Sequence, residues 1–394
     1  MPASTPVTPH ALLHRVHWID TGMNPRRLSS EEFTRVFSGF YTPTCAPASV
    51  EAMAWVLQNK VVPGAVISHS TAALLRGIPL PPQLEDGVGL LSGVRYLGGG
   101  SVLTSPFIPE DGELDDRPRS TAPTRSPDQP LKLPLIHATA HPRGTSRVAH
   151  GAQLHRRELP VPATVLGRLL VSPPLEILLE LATLLPVWDL VAAVDAVVGP
   201  ASRTPSLSLA DVRAFASNTT GRPGVAILRK AASLARERVE SPGETYVRLL
   251  VTAAGFPEPT PNLPTIHPDT GQERRIDNAY EHIRLGLEYD GSWRSKSKQQ
   301  WQSDEERRNE LASYGWTLSR QTGQDVRQPL SFLLRLRTVF DMLGVGRAAP
   351  AVDHIRSFAN SLSTADLSLQ WSTRRPASTS RRLDKKTGRF RTRI

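Results

Sequence analysis

Hydrophobic positions along this chain alternate between helical and strand spacing. In SPGETYVRLLVTAAG (241–255), Val247, Leu250, Val251 and Ala254 recur at helical intervals. Ser241 is placed to cap that helix, Pro242 suits its first position and Gly255 its end. After a Pro-rich link, residues 275–290 read as two short apolar strands joined by a polar turn. SKSKQQWQSDEERRNELASYG (295–315) reads as a helix ending at Gly315, TLSRQ (317–321) as a short strand, and 329–342 as an amphipathic helix. The order is helix, strands, helix, strand, helix, with acids at the heart of the sheet.

The amino-terminal half carries weaker patterns. SSEEFTRVF (29–37) reads as a capped helix, and GFYTP (39–43) as a wing-like strand turning out of it. AVISHSTAALLRGIP (65–79) reads as a strand, an N-cap and a short helix ending at Gly77. Residues 133–159 read as paired strands holding His137, His141, His150 and His155. Without cysteine or HExxH spacing, histidines on a hairpin are ordinarily structural, and zinc is the minor reading there. GVGLLSGVRYLGGG (87–100) lacks GxGxxG and reads as a hairpin with flexible turns. Residues 173–199 are the most hydrophobic run. Glu176, Glu180, Asp189, Asp195 and a break at Pro186 make it two buried helices, not a membrane span. Residues 199–223 read as loop, and 224–241 as a helix. Residues 104–134, rich in Pro, Ser, Thr and Asp, read as a flexible linker or an insertion within one domain.

Composition narrows the class. With 394 residues, 39% of them hydrophobic, the chain can build two or three domains with real cores. Its single cysteine, Cys45, permits no internal disulfide and no cysteine-based zinc site, and fits a cytoplasmic location. MPASTPVTPH lacks the apolar core of a signal peptide. The net charge is +10, and residues 372–394 hold nine Lys and Arg against one Asp. A polar tail of this kind, with Arg381, Arg382, Lys385 and Lys386, reads as disordered and suited to nucleic-acid phosphates. A solvated terminus without a partner is the alternative.

The candidate chemistry lies on the carboxy-terminal hairpin. A turn centred on His282 and Ile283 sets 281 opposite 284, which places Asp277 opposite Glu288. Directly opposed side chains stand about 4.5–5.5 Å apart at Cβ. Asp290, two residues on, shares that face. Crowded carboxylates repel, and a divalent cation with oxygen ligands offsets the repulsion. Arg274, Arg275 and Arg284 offer a different offset, a surface ion-pair cluster. Glu244 also has two readings. It completes a capping box with Ser241, or it faces the same acids.

SPGE (241–244), RIDNAY (275–280), LGLEYDG (285–291) and DEERRNELASYGW (304–316) together resemble the very-short-patch-repair-endonuclease-like family of the PD-(D/E)xK nuclease superfamily. The resemblance covers about 240–340. It implies a four-stranded, restriction-endonuclease-like sheet flanked by helices, with Asp277 and Glu288 as ligands of Mg2+ or Mn2+ and Glu244 as a helix-borne acid. The sequence departs from the family where a lysine is usual, because Asp290 stands there. It departs again where relatives place a histidine, which is Trp293 and Arg294 here. Arg294, Lys296 or Lys298 is the expected source of positive charge. SHSTAALLRGIP with FSGFYTP more loosely resembles AbiEi-type antitoxin proteins, which implies a DNA-binding or regulatory module with no catalytic residues.

The expected architecture is mixed α/β. An antitoxin-like, winged-helix-like region spans 1–103, a linker or insertion 104–134, and an α+β continuation 135–223. An endonuclease-like domain follows at 224–345 and a basic tail at 346–394. The expected function is metal-dependent hydrolysis of DNA phosphodiesters in repair or phage defence, with catalytic residues Glu244, Asp277, Glu288 and Asp290. One alternative is a non-catalytic DNA-binding regulator on a degenerate nuclease fold. Another is an interaction protein with a protein partner from a toxin–antitoxin or defence system.

Overall fold

A computed structural model of the chain describes residues 7–8, 10–81, 94–95, 102–103, 135–141, 151–158, 160–202, 207–267, 271–290, 298–365, 382–383 and 390–391. The expected linker at 104–134, His150, Arg294, Lys296, Arg381, Lys385 and Lys386 lie outside the described residues. The architecture is mixed α/β.

The chain opens with strand β1 (Leu13–His14) and helix α1 (Arg15–Asp20), followed by strands β2 (Phe33–Phe37) and β3 (Phe40–Pro43). The stretch expected as a capped helix is therefore a strand. Phe33, Thr34, Val36 and Phe37 are all buried, and Gly39, at φ +78°, turns the chain back antiparallel. The β-branched and aromatic content of FTRVF outweighs the capping signal before it. Trp18 closes a small core with Met23, Leu28 and Phe33.

Helix α2 (Val50–Val56) and strand β4 (Val66–Ile67) lead into helix α3 (His69–Arg76), which ends at Gly77 in the left-handed region as expected. Strands β5 (Val94–Arg95) and β6 (Val102–Leu103) pair antiparallel. Next come β7 (Ile136–Ala140), β8 (Ala152–Arg156), β9 (Thr164–Leu166) and β10 (Leu169–Val171). One sheet runs β8-β7-β4-β10-β9, so strands from both sides of 104–134 belong to a single unit. The paired strands at 133–159 are parallel rather than a hairpin.

Helices α4 (Pro174–Leu181) and α5 (Val187–Val198) match the two buried helices read from the hydrophobic run. Helix α6 (Leu209–Asn218) occupies the stretch expected as loop, held by a Ser208–Asp211 capping box. Helix α7 (Val225–Leu234) stops short of the expected end at 241. One large core joins these helices to the sheet.

Helix α8 (Pro242–Ala253) begins the carboxy-terminal unit, with Ser241 as N-cap. The Pro-rich link is strand β11 (Thr260–Ile266), and its prolines are tolerated because it lies at a sheet edge. Strands β12 (Glu273–Tyr280), β13 (Leu285–Tyr289) and β14 (Thr317–Gln321) complete the order β11-β12-β13-β14, the last pair parallel. Helix α9 (Lys298–Ser313) joins β13 to β14, and Leu311 packs with Ile276 and Trp316. Helices α10 (Gly323–Arg327), α11 (Pro329–Met342) and α12 (Val352–Ala365) follow. Val247, Leu250 and Val251 of α8 pack with Leu285, Leu287, Phe332, Leu336 and Ile355. Because Ile355 is buried in this core, the unit reaches past 345 into the stretch expected as tail. The short strands β15 (Arg382–Leu383) and β16 (Phe390–Arg391) pair antiparallel. Among the described residues no helix is long and apolar enough to cross a membrane.

Candidate carboxylate site on the carboxy-terminal sheet

The hairpin forms in the expected register, Tyr280 with Leu285, Ala279 with Gly286 and Asn278 with Leu287. The ladder stops there. One step outward, Asp277 Oδ2 accepts the backbone N–H of Tyr289 at 3.0 Å. A carboxylate thus takes the place of a ladder carbonyl, and the two strands part at the acids.

Acids from three elements interact electrostatically here, although the donor atoms of Glu244, Asp277 and Glu288 do not all lie within 4.8 Å of one another. Burial, then the nearby charges of Glu244 and Glu288, push the Asp277 carboxyl up to about 7. Asp277 therefore records the proximity of an acid from α8 and one from β13. Glu244 is buried as well, and burial raises its carboxyl above the usual range. Its Oε2 accepts the Glu240 N–H at 3.0 Å and the Asn262 side-chain amide at 2.7 Å. The bond to Glu240, one residue ahead of the N-cap, makes Glu244 a helix-start brace. Ser241 Oγ accepts the Glu244 N–H at 3.3 Å, but the Glu244 carboxylate bonds the N–H of Glu240 and not that of Ser241, so the expected capping box is closed from one side only.

Glu288 is met from α9, where Arg307 Nη2 donates at 2.8 Å and also bonds the Arg275 carbonyl at 2.6 Å. Asp290 is buried and pairs with Arg320 of β14 at 3.5 Å. Its N–H donates to the Gln321 carbonyl at 2.7 Å. Of the arginines expected as neutralisers, Arg274 pairs with Glu310 and Arg275 with Glu240, while Arg284 donates to the Tyr314 carbonyl. The cations at Glu288 and Asp290 come instead from α9 and β14. Sequence reasoning missed Arg307, Arg320 and Asn262. The available signals were the Arg-Arg pair in the helix after the second acid, and the in-register position of Arg320 beside Glu288.

Carboxylates are the donor type that hard divalent cations take, but those of Glu244, Asp277 and Glu288 are not drawn into one cluster of donor atoms. Tyr289 packs against the larger core of the unit, and Trp316 is buried in the smaller one. Lys298 opens α9, and Arg382 lies on β15.

The histidines sort differently. His137 and His155 come together, as expected for paired strands, but the third member is His69, from the start of α3. His141 is exposed at the end of β7. Among the described residues, this is the one trio of potential ligands with donor atoms all within 4.8 Å of one another.

No family model matches the chain, and no solved structure matches it. Over 178 residues it is 28% identical to an uncharacterized protein of Mycobacterium tuberculosis strain CDC 1551 / Oshkosh, and equally to one of strain ATCC 25618 / H37Rv. The match covers 45% of this chain and 64% of each relative, so the chain spans less than two thirds of their length.

Proposed function

We propose that the carboxy-terminal unit is a divalent-metal-dependent endonuclease that hydrolyses DNA phosphodiesters. The observation that supports this reading is the parting of the strand pair at Asp277, whose Oδ2 accepts the Tyr289 N–H one residue beyond Glu288, and whose carboxyl is raised by burial and then by the nearby charges of Glu244 and Glu288. The element order agrees with it: helix, three strands, helix, strand, with the acids on the first helix and the two central strands. Asp277 and Glu288 hold Mg2+ or Mn2+. The ion, when bound, polarises a phosphate oxygen and lowers the pKa of water. Glu244 adds negative charge behind Asp277 and fixes the start of α8. Arg307 supplies the positive charge that a lysine would otherwise bring. Its pair with Glu288 is partly exposed, so releasing it costs about 1 kcal/mol or less. Arg294, Lys296, Lys298 and the tail residues Arg381, Arg382, Lys385 and Lys386 contact phosphates along the duplex without reading sequence. The amino-terminal unit acts as the DNA-binding or regulatory module.

A second reading rests on Asp290. It occupies the position where a lysine is expected and is buried against Arg320, which leaves it poorly placed as a base. On that reading the chain is a DNA-binding regulator, and a toxin–antitoxin or defence protein is its partner.

Cleavage of plasmid and oligonucleotide DNA in Mg2+ and Mn2+ separates the two, with Asp277→Ala and Glu288→Ala alongside. Cutting by wild type that both substitutions abolish supports the enzyme. Metal-independent DNA binding without cutting, in wild type and variants alike, sinks it in favour of the regulator.

A further inference from the structure

At a different sheet from the carboxylates, the amino-terminal unit brings three histidines together from three separate elements. His137 stands on β7, His155 on the neighbouring parallel strand β8, and His69 opens α3. Thr139 lies in register with His155, so His137 and His155 share a face one diagonal step apart. Nδ1 of His137 and Nε2 of His155 are 3.0 Å apart. Two nitrogens bound at about 2.0–2.1 Å to one tetrahedral ion stand about 3.3 Å apart, so this spacing is close to that of ligands. A donor atom of His69 lies within 4.8 Å of both.

The surroundings fix the rings. His137 is fully buried, and its Nε2 has no hydrogen-bond partner. His69 Nδ1 lies 2.9 Å from Ser68 Oγ, which also accepts from Thr139 Oγ1 at 2.9 Å. Glu180 accepts the His69 backbone N–H at 2.9 Å and stands 3.9 Å from its Nδ1. Ser172 holds the other carboxylate oxygen at 3.0 Å. With Nδ1 facing a hydroxyl and a carboxylate, Nε2 is the nitrogen left to coordinate. This is the outer arrangement that metal-binding histidines use. His69 also adopts φ +51° at the first residue of a helix, a conformation that side chains rarely take.

We propose that His69, His137 and His155 form a binding site for a first-row transition dication of the zinc class, with Glu180 as the carboxylate behind His69. Three imidazoles favour such an ion over Mg2+ or Ca2+, which prefer oxygen. Three protein ligands leave a fourth position for water or another ligand. The His69 and His155 rings stack at 3.4 Å, so binding requires them to separate. His155 is only partly buried and is the ring with room to turn. The site is independent of the carboxylate site and of the function proposed for it.

The test is calorimetric titration of the full-length, untagged, chelator-stripped chain with Zn2+ and with Co2+, whose visible absorption reports nitrogen coordination. One equivalent per chain is expected at the histidines, and Asp277→Asn separates it from any ion taken up by the carboxylates. His155→Gln should lose that equivalent with the fold intact by circular dichroism. Glu180→Gln should weaken it about 10–100-fold. His141→Gln and Asp277→Asn should keep it. His137→Gln should behave like His155→Gln, and if it fails to fold, His155→Gln decides. The proposal is overturned if folded wild type takes up no equivalent at micromolar Zn2+ or Co2+. It is equally overturned if His155→Gln keeps the equivalent, or if Asp277→Asn removes it.

Discussion

Gly243 and Tyr289 approach so closely that a β-carbon on Gly243 would stand 2.0 Å from the Tyr289 ring. Each adjoins a site acid. Gly243 precedes Glu244, and Tyr289 follows Glu288 and gives its N–H to Asp277. The contact therefore sets the distance between α8 and β13 beside Glu244 and Glu288. Gly243→Ala must displace an aromatic ring, an overpacking change that costs about 1–3 kcal/mol. The expected result is a lower urea midpoint and weaker Mn2+ binding than wild type. Unchanged stability and unchanged Mn2+ affinity would show that this approach does not set the site.

The pH dependence of stability provides a second check. An acid raised from its usual value to about 7 keeps its proton in the folded chain but loses it earlier when unfolded. Between about pH 4 and pH 7 the folded state binds more protons, so this carboxyl lowers stability as pH rises, and the loss is complete above 7. Asp277→Asn keeps an acceptor for the Tyr289 N–H and removes the ionisation. It should stabilise the chain at pH 8 by as much as about 4 kcal/mol and have little effect at pH 4. Urea denaturation at both pH values measures the difference. An equal effect at the two pH values would show that repulsion at Asp277 is not the source.

How much of this was legible in the sequence follows from the range of the forces involved. The hairpin register was readable because a polar turn at Glu281–Ile283 fixes which residues face each other. Helix α8 announced itself through Ser241, Pro242 and its apolar stripe, all local signals. Strand β11 was hidden because Pro261 and Pro264 look like linker residues until an edge position excuses them. The β2 strand was missed because Ser29, Ser30, Glu31 and Glu32 imitate a helix start. Arg307 and Arg320 were invisible as partners because their pairing depends on how α9 and β14 return to the sheet. His69 was missed for the same reason. It lies 68 positions before His137 in the chain, and only the β4–β7 pairing brings their segments together.

Arg307 tests which proposed role the site fills. It neutralises Glu288 and also lowers the Asp277 carboxyl, against the effects of burial and the other acids. Arg307→Ala should destabilise the chain by about 1 kcal/mol or less, because the pair is partly exposed. It should tighten Mn2+ binding, since Glu288 is freed and the negative charge is uncompensated. On the endonuclease reading, cleavage should fall even as metal binds better, because the positive charge near the phosphate is gone. If metal affinity stays at the wild-type level, the acids do not form a cation site that competes with Arg307.

Arg248 carries the last prediction, because it ties the two units together. It is 1% exposed, on α8, and donates to Asp195 of α5 at 2.9 Å, to Glu258 at 3.1 Å and to the Leu234 carbonyl at 2.8 Å. Asp195 also accepts from Thr245 Oγ1 at 2.8 Å and from the Arg236 N–H at 2.7 Å. Even so, burial keeps the Asp195 carboxyl above the usual range. Removing one member of such a pair strands the other as a buried charge, at about 3–5 kcal/mol. Arg248→Met keeps the packing volume but leaves Asp195 without its cation, so Asp195 takes up a proton more readily. A raised acid costs stability above its unfolded pKa, so the destabilisation should be larger at pH 8 than at pH 5. Adding Asp195→Leu should recover part of the loss, because the charge is then gone from both sides. Urea denaturation of the single and double variants at both pH values decides the matter. A loss below about 1 kcal/mol for Arg248→Met at pH 8 would mean that packing, not this ion pair, joins the amino-terminal helices to the unit that carries the carboxylates.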